Sequence, residues 1–178
     1  VSRYPADALP VLCRVIHTTA DFSYRDTLTI TEGAIGLAKE AIHRGLPIIT
    51  DTTMAASGIN KTAARKFGID VHCFIGDEDV KAKAKESGMT RSAVSVEKAA
   101  GCYPECIYAV GNAPTALMRL YELIEEKKIR PALIIGVPVG FVNVVEAKEL
   151  ILRTDVPAIV ARGRKGGSNI AAAICNAL

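Results

Sequence analysis

The stretch Arg14-Val15-Ile16-His17-Thr18-Thr19-Ala20-Asp21-Phe22 gathers a cation, an imidazole, two hydroxyls and a carboxylate at the end of an apolar run. Histidine exchanges a proton near neutral pH, so His17 is a candidate acid–base group. Arg14 precedes it by three residues and shares a neighbouring helical position, where it can meet an anion. A histidine in the last helical turn is more often explained by packing or a surface position, and the helix dipole favours imidazolium there. From this stretch alone both readings stand.

Other candidates cluster in glycine-containing loops. Ala161–Asn169, "ARGRKGGSN", places Arg162, Arg164 and Lys165 among three glycines before Ser168 and Asn169 open a helix. Glycines permit close backbone approach, and the cations and helix N-terminus attract carboxylate or phosphate. A solvated turn with Ser168 as N-cap is the alternative. The loop is neither a dinucleotide fingerprint nor a Walker A loop, so nucleotide binding has little support. "VGNAPTALMRL" is a strand, a turn and a helix, with Asn112 as cap or ligand contact. Arg91 and Ser92 lie at a helix start, where an arginine opposes the dipole and so hints at an anionic partner, although a solvated arginine is the favoured local reading. Asp51 follows an apolar run and can orient a base or cap a helix. "GVPVGFVN" offers Val137, Val139 and Phe141 to a flat apolar ligand, or forms a tight crossover, with Asn143 as a cap for the next helix.

The elements that carry these loops follow from hydrophobic spacing. Leu9, Leu12, Cys13 and Ile16 form one face of a helix over about residues 6–18. Five short apolar runs alternate with helical segments: Ile48–Thr50, Val71–Phe74, Ile107–Val110, Leu133–Ile135 and Ala158–Val160. Near-continuous apolar strands between helices predict a mostly parallel sheet covered on both faces. The expected architecture is one doubly wound α/β domain over residues 1–178, with about five strands. Ligands of such sheets bind beyond the C-terminal strand ends, where the polar loops fall.

The bulk numbers fit that reading. Of 178 residues, 49% are hydrophobic and 23% charged, which specifies a folded rather than a disordered chain. Aromatics are 5%, so Ile, Val, Leu and Ala must build the core. A net charge of +3 is too small to argue for nucleic acid. Cys13, Cys73, Cys102, Cys106 and Cys175 contain no C-x-x-C pair, which makes a disulfide framework unexpected. A metal site near Cys102, Cys106, His72 and Cys73 lacks paired close spacing, and ordinary buried thiols are the favoured reading. His43 falls in a helix tail and His72 in a buried strand. No signal peptide or membrane-length apolar run is read, so a soluble cytoplasmic protein is expected.

Taken together, "RVIHTTADFSY", "GLPIITDTTMAASGI", "TRSAVSVEKA", "YAVGNAPTALMRLYELI", "PALIIGVPVGFVNVVEAKELI" and "VPAIVARGRKGGSNIAAAICNAL" closely resemble the precorrin-8X and cobalt-precorrin-8 methylmutases of cobalamin biosynthesis. The match runs in order from about Pro10 to Leu178. The resemblance implies an isomerase that moves a methyl group from C-11 to C-12 of a corrin precursor, giving hydrogenobyrinate or cobyrinate, without a cofactor or protein-bound metal. It implies a homodimer with the corrinoid tetrapyrrole at the subunit interface, and neither a nucleic-acid nor a membrane partner. His17 falls at the family's catalytic histidine and Arg14 at a substrate contact. Arg91, Ser92, Asn112, Arg162, Lys165 and Ser168 are pocket candidates by position and chemistry. "HTTADF" looks more like the cobalt-using branch, in which cobalt arrives inside the substrate. The family carries a further N-terminal segment that touches substrate, expected here to be shortened or missing, since only about a dozen residues precede the "RVIHTT" motif. A nucleotide-binding oxidoreductase and a non-catalytic binder of corrinoid or nucleic acid are the rival readings. The first lacks the dinucleotide fingerprint, and the second lacks an aromatic stacking platform.

Overall fold

A computed structural model of the protein describes residues 4–178. After a 3-10 turn at Ala6–Ala8, the helices are α1 (Leu9–Thr19), α2 (Tyr24–Thr27), α3 (Ala34–His43), α4 (Thr53–Gly58), α5 (Lys61–Lys66), α6 (Glu78–Ser87), α7 (Arg91–Cys102), α8 (Pro114–Glu125), α9 (Val144–Leu152) and α10 (Ser168–Cys175). The strands are β1 (Leu28–Ile30), β2 (Ile48–Thr50), β3 (Val71–His72), β4 (Ile107–Val110), β5 (Leu133–Gly136) and β6 (Ala158–Ala161). They form one sheet in the order β1-β6-β5-β4-β2-β3. Strands β2 to β6 are mutually parallel, and β1 closes the far edge antiparallel to β6, pairing Leu28 with Ala161 and Ile30 with Ile159.

The expected parallel sheet is therefore present, with a sixth strand added. β1 has three residues, alternates Leu28-Thr29-Ile30 and pairs on one side only, so it carries no continuous apolar run. The Val71–Phe74 run is a strand only at Val71 and His72, because it too lies on an edge. His72 is half-buried there rather than enclosed, and its ring stacks on Tyr103 at 4.8 Å between centroids.

Successive residues of each strand point to opposite faces, and the two cores follow from that pleat. Ile48, Ile107, Ala109, Leu133, Ile135 and Ile159 face α1, α3, α4, α5 and α10. Ile49, Tyr108, Val110, Ile134, Ala158 and Val160 face α7, α8 and α9. α10 is nearly all apolar because it packs beneath both α1 and α4. Gly58 makes the α4–α10 contact possible, since a Cβ there would lie 2.8 Å from Cβ of Ala172. All five cysteines are free thiols, but only Cys106 is buried, while Cys13 and Cys102 are exposed. That corrects the buried-thiol reading for those two, which lie on outward helix positions. Among the described residues no helix is long and apolar enough to cross a membrane, and no group of three or more His, Cys, Asp or Glu is placed to hold a metal.

Candidate active site

α1 keeps Val11, Leu12 and Val15 in the core, which turns Arg14, His17 and Thr18 outward. The helix stops at Ala20, which adopts φ 53° and returns its N–H to the carbonyl of Ile16 at 2.8 Å. His17 thus sits in the last turn as expected, but its ring is exposed. The face read as Leu9, Leu12, Cys13 and Ile16 is corrected: Cys13 is exposed and Leu9 and Ile16 are half-buried, because the helix is turned to bury Val11, Leu12 and Val15. The hydroxyls behind it do not orient it. Thr18 Oγ1 donates to the carbonyl of Arg14 at 2.8 Å, and Thr19 Oγ1 donates to that of Val15 at 2.9 Å.

Asp21 turns the other way. Its Oδ1 accepts the N–H of Ser23 at 2.9 Å, and its Oδ2 accepts Lys165 Nζ at 2.6 Å. Lys165 Nζ also reaches Ser23 Oγ at 3.0 Å. The glycine-rich loop after β6 and the turn after α1 are therefore joined, although 144 residues separate the partners. The hydrogen bond from Lys165, with those from Ser23, holds the Asp21 carboxyl down at about 2. Its folded-state value lies below the ordinary 3.8, so its stabilising contribution is present above pH 3.8 and is lost as pH falls toward 2. We expect the melting-temperature difference between wild type and Asp21→Asn to shrink on acidification from about pH 5 to about pH 2. Both partners are partly exposed, so added salt narrows it too.

A groove runs between α1, α4 and α10. Its lining includes Arg14, Thr18, Met54, Asn169, Ala172 and Asn176, and its volume is 290 Å³. Ser168 stands beside it as the first residue of α10, with its Oγ 2.8 Å from Thr52 Oγ1. The cap itself is Gly167, not Ser168. Thr52 in turn accepts the N–H of Ala55 and caps α4, so Ser168 couples the starts of two helices.

The adjoining loops interlock through their glycines. A Cβ on Gly111 would lie 2.5 Å from Cα of Ser168, and one on Gly166 would lie 2.1 Å from the carbonyl oxygen of Val137. Asp51 is 6% exposed, and its carboxylate accepts the N–H groups of Gly111, Asn112 and Ala113, each at 2.8 Å. Burial raises its carboxyl, and the three backbone donors pull in the opposite sense. Asp51 thus shapes the approach to α8, whose cap is Ala113, and the exposed Asn112 side chain does not cap it. Asn143 does occupy the α9 cap position, but its side chain makes no capping bond.

The candidates fall into two groups. Arg14 and His17 lie on the last turns of α1, Ser168 starts α10, and Lys165 reaches the turn after α1. Arg91, Ser92 and Asn112 lie at the starts of α7 and α8, joined through Thr90 Oγ1, which donates to Thr115 Oγ1 at 2.9 Å. Ser92 lines a crevice of only 10 Å³ with Asp51, Ser95 and Tyr108. Arg162 faces Glu149, donating through Nε at 2.8 Å and Nη2 at 2.6 Å. Met54 and Asn169 were not singled out by sequence. Asn169 adjoins Ser168, and only the packing of α10 under α1 reveals that it faces the groove.

Comparison with known proteins shows the family. The precorrin-8X methylmutase family model matches residues 1–178. A cobalt-precorrin-8 methylmutase of Leptospira interrogans is 45% identical over 176 residues, covering 94% of this chain and 80% of that protein. A precorrin-8X methylmutase of Pseudomonas aeruginosa is 39% identical, covering 98% of this chain and 84% of its own. The crystal structure of a precorrin-8X methylmutase from Thermus thermophilus superposes with a TM-score of 0.90 at 38% identity, covering 98% of this chain and 86% of that one. The chain belongs to the precorrin-8X methylmutase family of cobalamin-pathway isomerases.

Proposed function

We propose that the protein moves a methyl group from C-11 to C-12 of precorrin-8X or cobalt-precorrin-8, with His17 exchanging a proton with the macrocycle. The observation that carries this reading is a groove lined by Arg14, Thr18 and Asn169, with exposed His17 next to Thr18 on the same helix and Lys165 bonded to the turn that follows. The substrate is a broad, mostly apolar ring edged with carboxylates. Such a ligand asks for apolar cover on its face and cations at its rim.

The migrating methyl forms no bond to the protein. Catalysis then consists of holding the ring near its transition-state shape and adjusting its electron demand by protonation. Arg14 and Lys165 are the rim contacts in this scheme, with Arg91, Ser92, Asn112, Arg162 and Ser168 as further candidates along the strand ends. Lys165 must exchange Asp21 for a substrate carboxylate, or hold that turn while its neighbours bind. No cofactor takes part, and cobalt enters as part of the substrate.

A groove of 290 Å³ in one chain is at the small end for so large a ligand. Met54, Phe22, Phe141 and Val142 are 68%, 76%, 86% and 76% exposed. Met54 lines the groove, and apolar side chains left so open can be covered by a second copy of this chain, in keeping with a homodimer whose site lies at its interface. The name of the relative from Leptospira, together with "HTTADF", favours the cobalt form.

The test is incubation with precorrin-8X, with and without cobalt, followed by visible absorption and product analysis. Conversion of the cobalt form is expected. Binding of both forms with conversion of neither would overturn the assignment.

A further inference from the structure

Lys148 occupies a position that α9 reserves for apolar residues. Val144, Ala147, Lys148 and Ile151 recur at three- and four-residue spacing and are the buried stripe of the helix. Lys148 is 0% exposed, and among the described residues no carboxylate pairs with it. Its Nζ donates instead to the carbonyls of Gly163 and Lys165, each at 2.8 Å. A buried ammonium is costly unless its donors are satisfied, and these two carbonyls supply that compensation. Removal from water draws its pKa down to about 8.

The two carbonyls define how the loop stands. All peptides here are trans, so the N–H following each carbonyl points opposite to it. The N–H groups of Arg164 and Gly166 therefore face away from Lys148. Neither donates to a backbone carbonyl among the described residues. The side chains of Arg164 and Lys165 are exposed beside them. Two N–H groups on alternate residues, facing the same way with cations beside them, offer donors and positive charge to an anion.

We propose that Lys148 is a positioning residue for substrate binding: by clamping the carbonyls of Gly163 and Lys165 it turns the 163–166 loop so that its N–H groups and cations meet a carboxylate on the rim of the macrocycle. The inference rests on the proposed function above. Rim contacts are distant from the migrating methyl and are the same in ground and transition states. Their loss raises KM and leaves kcat nearly unchanged.

The test compares wild type, Lys148→Met and Lys148→Gln with Val80→Ala, a core truncation in the separate small cluster of Val80, Ala84 and Val94. For Lys148→Met, KM for the corrinoid rises about tenfold or more while kcat changes less than about threefold. Lys148→Gln, which keeps an N–H donor, falls between it and wild type. Val80→Ala loses melting temperature without moving KM, which separates positioning from general destabilisation. A folded Lys148→Met with wild-type KM, a loss confined to kcat, or failure of both Lys148 variants to fold overturns the inference. Absence of turnover in wild type would instead defeat the proposed function itself.

Discussion

Replacing His17 with alanine is expected to lower kcat about 10²–10⁴-fold, the usual span for a positioned general acid or base. The affinity for the corrinoid is expected to change less than about threefold, because Arg14 and the loop cations remain. His17 is exposed, so the variant should fold and melt as wild type does. His17→Asn sharpens the result. The amide still donates a hydrogen bond but cannot transfer a proton. If proton exchange is the role, the asparagine variant is as inactive as the alanine one. If the ring only holds substrate in place, the asparagine variant recovers much of the rate. Single-turnover conversion followed by visible absorption, with binding measured separately by titration, distinguishes the two. Full turnover in both variants would remove His17 from the mechanism. Neither threonine modifies this expectation, since their hydroxyls are spent on helix carbonyls.

The sheet was legible where burial is two-sided. β2 and β4 to β6 are enclosed by helices above and below, so their apolar runs are continuous and cannot be placed elsewhere. β1 escaped because an edge strand needs no such run. α6 escaped notice too. Among its ten residues only Val80 and Ala84 are buried, so "EDVKAKAKES" reads as a polar segment.

The same distinction governs the site. His17 and Arg14 are adjacent on one helix, so their shared face is a matter of local geometry. The bond from Lys165 to Asp21 spans 144 residues and depends on α10 lying beneath α1. Arg162 in an isolated loop looks as available as Lys165, and only the fold shows it turned to Glu149. Lys148 did carry a signal, since a lysine at the i+4 position of an otherwise apolar stripe must either snorkel or find buried acceptors. Read one residue at a time, "EAKEL" looks like any solvated helix.

Asp51 is expected to matter more to the fold than any other side chain near the groove. Three backbone N–H groups converge on one buried carboxylate, each at 2.8 Å. Asp51→Ala leaves all three without an acceptor, and an unsatisfied buried donor costs about 1–3 kcal/mol. Water entering the space left by the carboxylate recovers part of that sum. A net loss of about 3–5 kcal/mol follows, which for a chain of this size lowers the melting temperature by roughly 10 °C or more. Asp51→Asn can keep its one acceptor oxygen toward the N–H groups of Asn112 and Ala113 but sets its amide against the N–H of Gly111, so its loss is smaller and not absent. The consequences reach the groove through short connections. Gly111 packs against the backbone of Ser168, Ser168 Oγ meets Thr52 Oγ1, and Thr52 caps α4, which carries Met54. Releasing the 111–113 turn therefore loosens the starts of α8, α10 and α4 together. Thermal melts read the stability loss. Amide exchange over residues 111–113 and 166–169 reads its spread, and exchange confined to the first segment would show that the two loops are not coupled.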